Sequence, residues 1–154
     1  MSINIILRRI TRPDFERSHR EGLLCAEHTE EIEEISKAWD ELQRILADGD
    51  MDHPPLEAQA LCGGEVLPND DMDYGGVRLI APGQVAEISR ALIELTDEEF
   101  QRRYETADLT GAYSSGEGGR PGRPLADLQK LVDELRRFYA DAASSNEAVG
   151  YWYG

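Results

Sequence analysis

Cys62 stands directly before Gly63 and Gly64, where a thiol could meet free backbone N–H groups with His53 as its base. The plainer reading of the same residues is a small buried side chain before a glycine turn. His19, Cys25 and His28 form a local cluster of metal-ligating types, but no fourth ligand stands nearby. Asp48, Asp50 and Asp52 fit the odd-numbered start of a calcium loop. The sixth position should then be glycine and is His53, and the twelfth should be glutamate and is Gln59. A loop started at Asn69 fails in the same places, at Tyr74 and Ile80. The glycines from Gly116 to Gly122 match neither phosphate-loop spacing, and no serine elbow is present. Acids between Glu65 and Asp73 could do acid–base work with Arg78. These residues assign no metal, no cofactor and no catalytic group.

A binding reading needs less. Lys37, Tyr74 and Arg78 are two cations and an aromatic in an otherwise acidic stretch, and they are the candidate lining of a small anion- or peptide-binding cleft. Lys37 lies two residues before Trp39, about 200° around a helix from it. Lys37 is therefore expected to face a neighbouring element rather than share a wall with Trp39. Tyr151, Trp152 and Tyr153 could stack on bases, but they read better as core or interface packing.

Positioning these residues takes a mixture of strands and helices. Asn4 to Ile10 reads as a first strand. Thr11, Pro13 and Asp14 then start a helix over about 12–20. Thr29 is placed to cap a second helix, with glutamates in its first turns and Ile32, Ile35, Trp39, Leu42 and Leu46 along one face to about Ala47. Leu56 to Leu61 reads as a short helix closed by Gly63 and Gly64. Val77, Leu79 and Ile80 suggest a strand, and Pro82 opens a helix carrying Val85, Ile88, Leu92 and Leu95. Thr96 and Glu99 have capping-box spacing for a further helix. A flexible Gly/Pro-rich loop is expected at about 110–124, before a helix from Leu125 and a terminal strand over 148–153. The expected fold is α+β: one compact domain over 1–154 whose terminal strands pair in a small sheet packed against amphipathic helices.

The charge distribution bounds the partners. The chain has 154 residues and a formal net charge of −15. Residues 1–20 carry +3, residues 21–74 carry −14 and residues 75–154 carry −4. So acidic a chain repels phosphate backbones and anionic lipid, so neither nucleic acid nor a membrane is expected as partner. No apolar run is long enough to span a bilayer, and the early arginines do not fit a secretory leader. Two cysteines do not make a disulfide framework. The expectation is a non-enzymatic cytoplasmic interaction module whose acidic surface meets a basic protein. The alternatives are an enzyme of unrecognised type, such as a hydrolase, and a small-molecule-binding domain. The oligomeric state is left open.

Several short patterns occur in order: Lys37-Ala38-Trp39, Leu61-Cys62-Gly63-Gly64-Glu65, Tyr74-Gly75-Gly76-Val77-Arg78-Leu79, Pro82 opening a helix, and Leu135-Arg136-Arg137-Phe138-Tyr139 before a short apolar strand. In this the chain resembles the YfbM-like family, small bacterial proteins grouped as a domain of unknown function. The resemblance implies a single α+β domain and brings no activity, cofactor or catalytic residue. It marks Lys37, Trp39, Gly63, Gly64, Tyr74, Gly75 and Arg78 as motif positions. The chain departs from the family's pattern at Asp40, where histidine is usual, at Gly76 for proline, and at Ala81 for threonine. Its loop over 110–124 is also glycine-rich where the family often has an aromatic. Any acid–base role of that histidine should be lost here.

Overall fold

The two ends of the chain meet in the middle of one sheet. Strand β1 (Ile5–Ile10) runs antiparallel to β5 (Ala148–Tyr153), from Ile5 opposite Tyr153 to Ile10 opposite Ala148. Asn4 and Gly154 extend the ladder by exchanging both backbone hydrogen bonds, each 2.9 Å long. Strand β4 (Arg78–Ile80) flanks β5, and β3 (Glu65–Val66) forms one edge beside it. Strand β2 (Glu31–Ile32) forms the other edge beside β1. The sheet order is β2-β1-β5-β4-β3, antiparallel throughout. The structure is a computed structural model and describes residues 3–26, 31–32, 35, 37–70, 75–112 and 117–154. The architecture is the expected α+β, with one sheet and the helices around it forming a single domain.

Strand alternation divides the side chains between two cores. Ile5, Leu7, Val149, Tyr151 and Ile80 face one side, where they pack with residues of α2 (Trp39–Ala47), α3 (Gln59–Cys62), α4 (Pro82–Glu94), α5 (Asp97–Thr106) and α6 (Leu125–Ser144). Ile10, Leu79, Ala148 and Trp152 face the other side, under Phe15 of α1 (Arg12–Glu21), Leu24 and Leu67. A central strand apolar on both faces needs this double cover, and β5 is buried from Ala148 through Trp152.

The helix starts follow local chemistry. The Thr11 hydroxyl accepts from Asp14 N, and the Thr96 hydroxyl accepts from Glu99 N at 3.1 Å. Pro82 opens α4 without a side-chain cap, because Ala81 has no oxygen to offer.

The second helix is shorter than its spacing suggests. Thr29 lies outside the described residues, and Glu31–Ile32 is a strand pairing with Leu7 and Arg8. Lys37 adopts a left-handed φ of 71°, so the helix begins only at Trp39. An apolar stripe at helical spacing cannot reveal such a break, and pairing on the open edge of β1 overrides the propensity of the glutamates. Lys37 is consequently not on the helix, and the expected angular separation from Trp39 does not apply.

The expected loop at about 110–124 includes residues 113–116, which lie outside the described part. Its remainder is held by named bonds. Buried Glu41 accepts from Gly122 N at 2.9 Å and from Arg123 at 3.2 Å. Leu109 N donates to Gly119 O, and the Tyr104 hydroxyl donates to Arg123 O.

Candidate functional site

The Leu61-Cys62-Gly63-Gly64 motif ends the one-turn helix α3, and its backbone carbonyls are the centre of the region. A helix that short leaves most of its C=O groups without internal partners. Tyrosines supply the donors. The Tyr139 hydroxyl of α6 donates to Ala60 O at 2.6 Å, and the Tyr151 hydroxyl of β5 donates to Gly63 O at 2.6 Å. The Tyr153 hydroxyl reaches Leu61 O at 3.4 Å, a weaker contact. The Cys62 thiol points back to Ala58 O at 3.2 Å.

Gly64 explains the double glycine. Its φ is +83°, and a Cβ there would lie 2.7 Å from the Leu79 carbonyl oxygen on β4. Only glycine accommodates both the backbone conformation and the approach of that strand.

Burial decides the proton states here. It pushes the Cys62 thiol up, and Arg78 only partly opposes it. It pushes the Tyr139 and Tyr151 phenols well up, and Tyr153 up to about 12. At neutral pH these groups keep their protons, so the cluster offers neither thiolate nor phenolate. His53 is exposed and sits 3.8 Å from Asp50, where it serves no thiol.

Of the residues expected to line a binding cleft, Arg78 is the one that joins this cluster. It opens β4, opposite Tyr151 on one side and Val66 on the other. Alternation places its side chain on the Tyr151 and Tyr153 face. Arg78 is half-buried, and among the described residues it makes no hydrogen bond or ion pair. Trp39 reaches the same neighbourhood: its ring centroid lies 4.7 Å from that of Tyr153, and its indole N–H donates to Ile3 O at 2.9 Å. Lys37 is exposed and touches none of these groups through a hydrogen bond or ion pair. Tyr74 lies outside the described residues, while Gly75 is exposed with a φ of 107°. Glu65 cannot partner Arg78 in acid–base work, because it alternates with Val66 onto the opposite face of the sheet.

Sequence reasoning did not anticipate a second feature. The C-terminal ends of α2 and α5 converge on a cleft of about 350 Å³, lined by Arg44, Asp48, Met51, Arg103, Thr106 and Asp108 among others. Helix C-termini carry partial negative charge. The arginines here are all paired. Arg44 bonds Asp40 at 3.0 Å, Arg102 bonds Asp48 at 2.8 Å and Glu99 at 2.7 Å, and Arg103 bonds Glu57 at 2.8 Å. Asp108 instead accepts from the Thr110 hydroxyl and backbone N–H, which lowers its pKa without neutralising it. The lining itself carries Arg44 and Arg103 with Asp48 and Asp108; together with Arg102 and the bonded partners Asp40, Glu57 and Glu99 the surrounding cluster holds three arginines and five carboxylates, and Asp50 and Asp52 are exposed on the adjoining loop. The signal available in sequence was the Asp-rich stretch after α2; that α5 would end beside it was not readable.

Among the described residues, no helix is long and apolar enough to cross a membrane. No group of three or more His, Cys, Asp and Glu side chains among those residues is placed to hold a metal ion.

Comparison with known proteins agrees with the fold. No curated protein matches the chain at a significant level. The crystal structure of a protein of unknown function, YfbM from Escherichia coli, superposes with a TM-score of 0.64 at 15% sequence identity, covering 98% of each chain. At that identity the likeness concerns the fold. The sequence pattern described as a domain of unknown function (DUF1877) matches residues 1–151, nearly the whole chain. With the sheet order, the tyrosine-capped glycine turn and that match in place, the chain belongs to the DUF1877 family of domains of unknown function.

Proposed function

We propose that this domain is a non-enzymatic interaction module of the cytoplasm that binds a basic protein partner through its acidic surface. The observation that carries this reading is the cleft between the ends of α2 and α5. Two negatively poled helix termini meet there, the cluster of charges around it holds more carboxylates than arginines, and Met51 on its lip is 39% exposed. A lysine or arginine side chain is the natural occupant, its stem against Met51 and its charge toward Asp48 and Asp108. Reactive side chains point the same way: the buried thiol and phenols are protonated and engaged with backbone carbonyls. The net charge of −15 disfavours nucleic acid and anionic membranes as alternatives.

The test is titration of the full chain with a lysine-rich peptide at low and at physiological salt. Saturable binding is expected, weakening as salt rises because the contacts are exposed. The double variant Asp48→Asn, Asp108→Asn should bind more weakly by roughly 5- to 10-fold, the effect of two exposed charge contacts, with its melting temperature little changed. No saturable binding at low salt, or binding indifferent to both salt and the double substitution, would overturn the proposal.

A further inference from the structure

Among the described residues, half-buried cations have companions, with one exception. Arg9 bonds Glu147 at 2.7 Å, Arg123 bonds Glu41 at 3.2 Å, and Arg136 bonds Asp133 at 2.8 Å. Arg8 lies over the Trp152 ring at 4.9 Å. Arg78 has no such partner among the described residues, yet it occupies the second strand from the sheet edge in a strongly acidic protein. Burying a charge without compensation is costly. Arg78 itself is only partly covered.

Its surroundings select what it would hold. On the same sheet face lie Tyr151, directly opposite and fully buried, and Tyr153, two positions further along, half-buried with its ring tilted against that of Trp39. The Tyr153 hydroxyl is turned toward Leu61 O, so what Tyr153 and the adjoining Trp39 present beyond Arg78 is ring surface. The wall is therefore one fixed cation followed by aromatic carbon. We infer that Arg78 is the anchor of a second binding site, one that takes a carboxylate attached to an apolar or aromatic body. A guanidinium receives a carboxylate with two parallel N–H···O bonds, and the adjoining rings receive the apolar part. This site shares no lining residue with the α2–α5 cleft, has the opposite charge preference, and does not depend on the basic-partner reading. The carboxylate could belong to a free small acid or to the C-terminus of a peptide.

Register supplies an internal control. Leu67 N donates to Val77 O at 2.8 Å, which makes Val66 and Arg78 a non-hydrogen-bonded pair, the kind whose side chains lie closest. Val66 is 46% exposed. A glutamate there would give Arg78 a carboxylate from within the chain and occupy the proposed site.

The experiment titrates the full-length protein with phenylacetate, with an acetylated peptide ending in a phenylalanine carboxylate, and with the amide of that peptide, following intrinsic fluorescence and backbone amide shifts. Saturable binding of phenylacetate or of the peptide acid is expected, with shifts at Arg78, Tyr151 and Tyr153. Binding of phenylacetate alone identifies a free acid as the ligand type. Binding of the peptide acid but not its amide identifies a chain terminus. Arg78→Gln should weaken binding roughly 10- to 100-fold, the effect of losing charge-assisted hydrogen bonds. Val66→Glu should abolish binding and raise the melting temperature, which keeps the test valid if Arg78→Gln folds poorly. Absence of saturable binding by both acids, or undiminished binding in Val66→Glu, would overturn the inference.

Discussion

Arg103 and Arg78 are both half-buried arginines, and the molecule uses them in opposite ways. Arg103 on α5 donates to Glu57, Glu99 and the Leu46 carbonyl, tying α5 to the end of α2 and to the residues before α3. Arg78 on β4 has the carbonyl-rich glycine turn nearby, but tyrosine hydroxyls already occupy those acceptors. One arginine is thus a structural clamp within an acidic surface. The other is a cation with no hydrogen-bonded partner among the described residues. Residues of a shared motif therefore need not share a role: Gly63 and Gly64 shape the turn and the Trp39 ring packs on Tyr153, while Arg78 is the proposed anchor of a ligand.

That contrast predicts where substitutions harm folding and where they harm binding. The largest effect is expected at Gly64→Ala. The left-handed backbone and the contact with the Leu79 carbonyl together should cost more than about 2 kcal/mol of stability, read by denaturant unfolding. Tyr139→Phe comes next. It leaves the buried Ala60 carbonyl without its donor and should cost about 1–3 kcal/mol, while affinity for a lysine-rich peptide stays unchanged. If Tyr139→Phe is neutral in stability, the tyrosine cap is not what holds the turn.

The smallest effect belongs to the arginine-clamped surface. The guanidinium groups of Arg102 and Arg103 hold the Glu99 carboxyl down to about 2, from an ordinary value of 4.5. A carboxyl depressed in the folded state contributes stability that is present above its unfolded value and is lost as pH falls. The Glu99 side chain is 37% exposed, so solvent screening keeps this contribution small. Unfolding scans between pH 4.5 and 2 should show a modest decline, shallower in Glu99→Gln. An identical decline in both proteins would remove Glu99 from the account.

Much of the scaffold was legible in the residues. Short apolar stretches at both ends announced strands, the last of them apolar on both faces, and β1 and β5 pair over their full length. Thr11, Thr96 and Pro82 marked helix starts because their chemistry is local. The stretch before Trp39 misled because its stripe fits a helix while a left-handed residue at position 37 and edge pairing at 31–32 end it. Arg78 was readable as a candidate, being a charge at the start of an apolar strand. Its isolation was not readable, since that depends on tyrosines about 60 to 75 positions later reaching the glycine turn first. The α2–α5 cleft was illegible for the same reason: it is assembled from Asp48 and Asp108, on segments brought together only by the fold.

The most direct test of this division is an amide-shift map of the full chain titrated with a lysine-rich peptide at low salt. The account predicts shifts concentrated at residues 44–52 and 102–108, at the ends of α2 and α5, with Arg78, Tyr151 and Tyr153 silent. Shifts centred on Arg78 and Tyr153 instead, or no shifts at all, would contradict it.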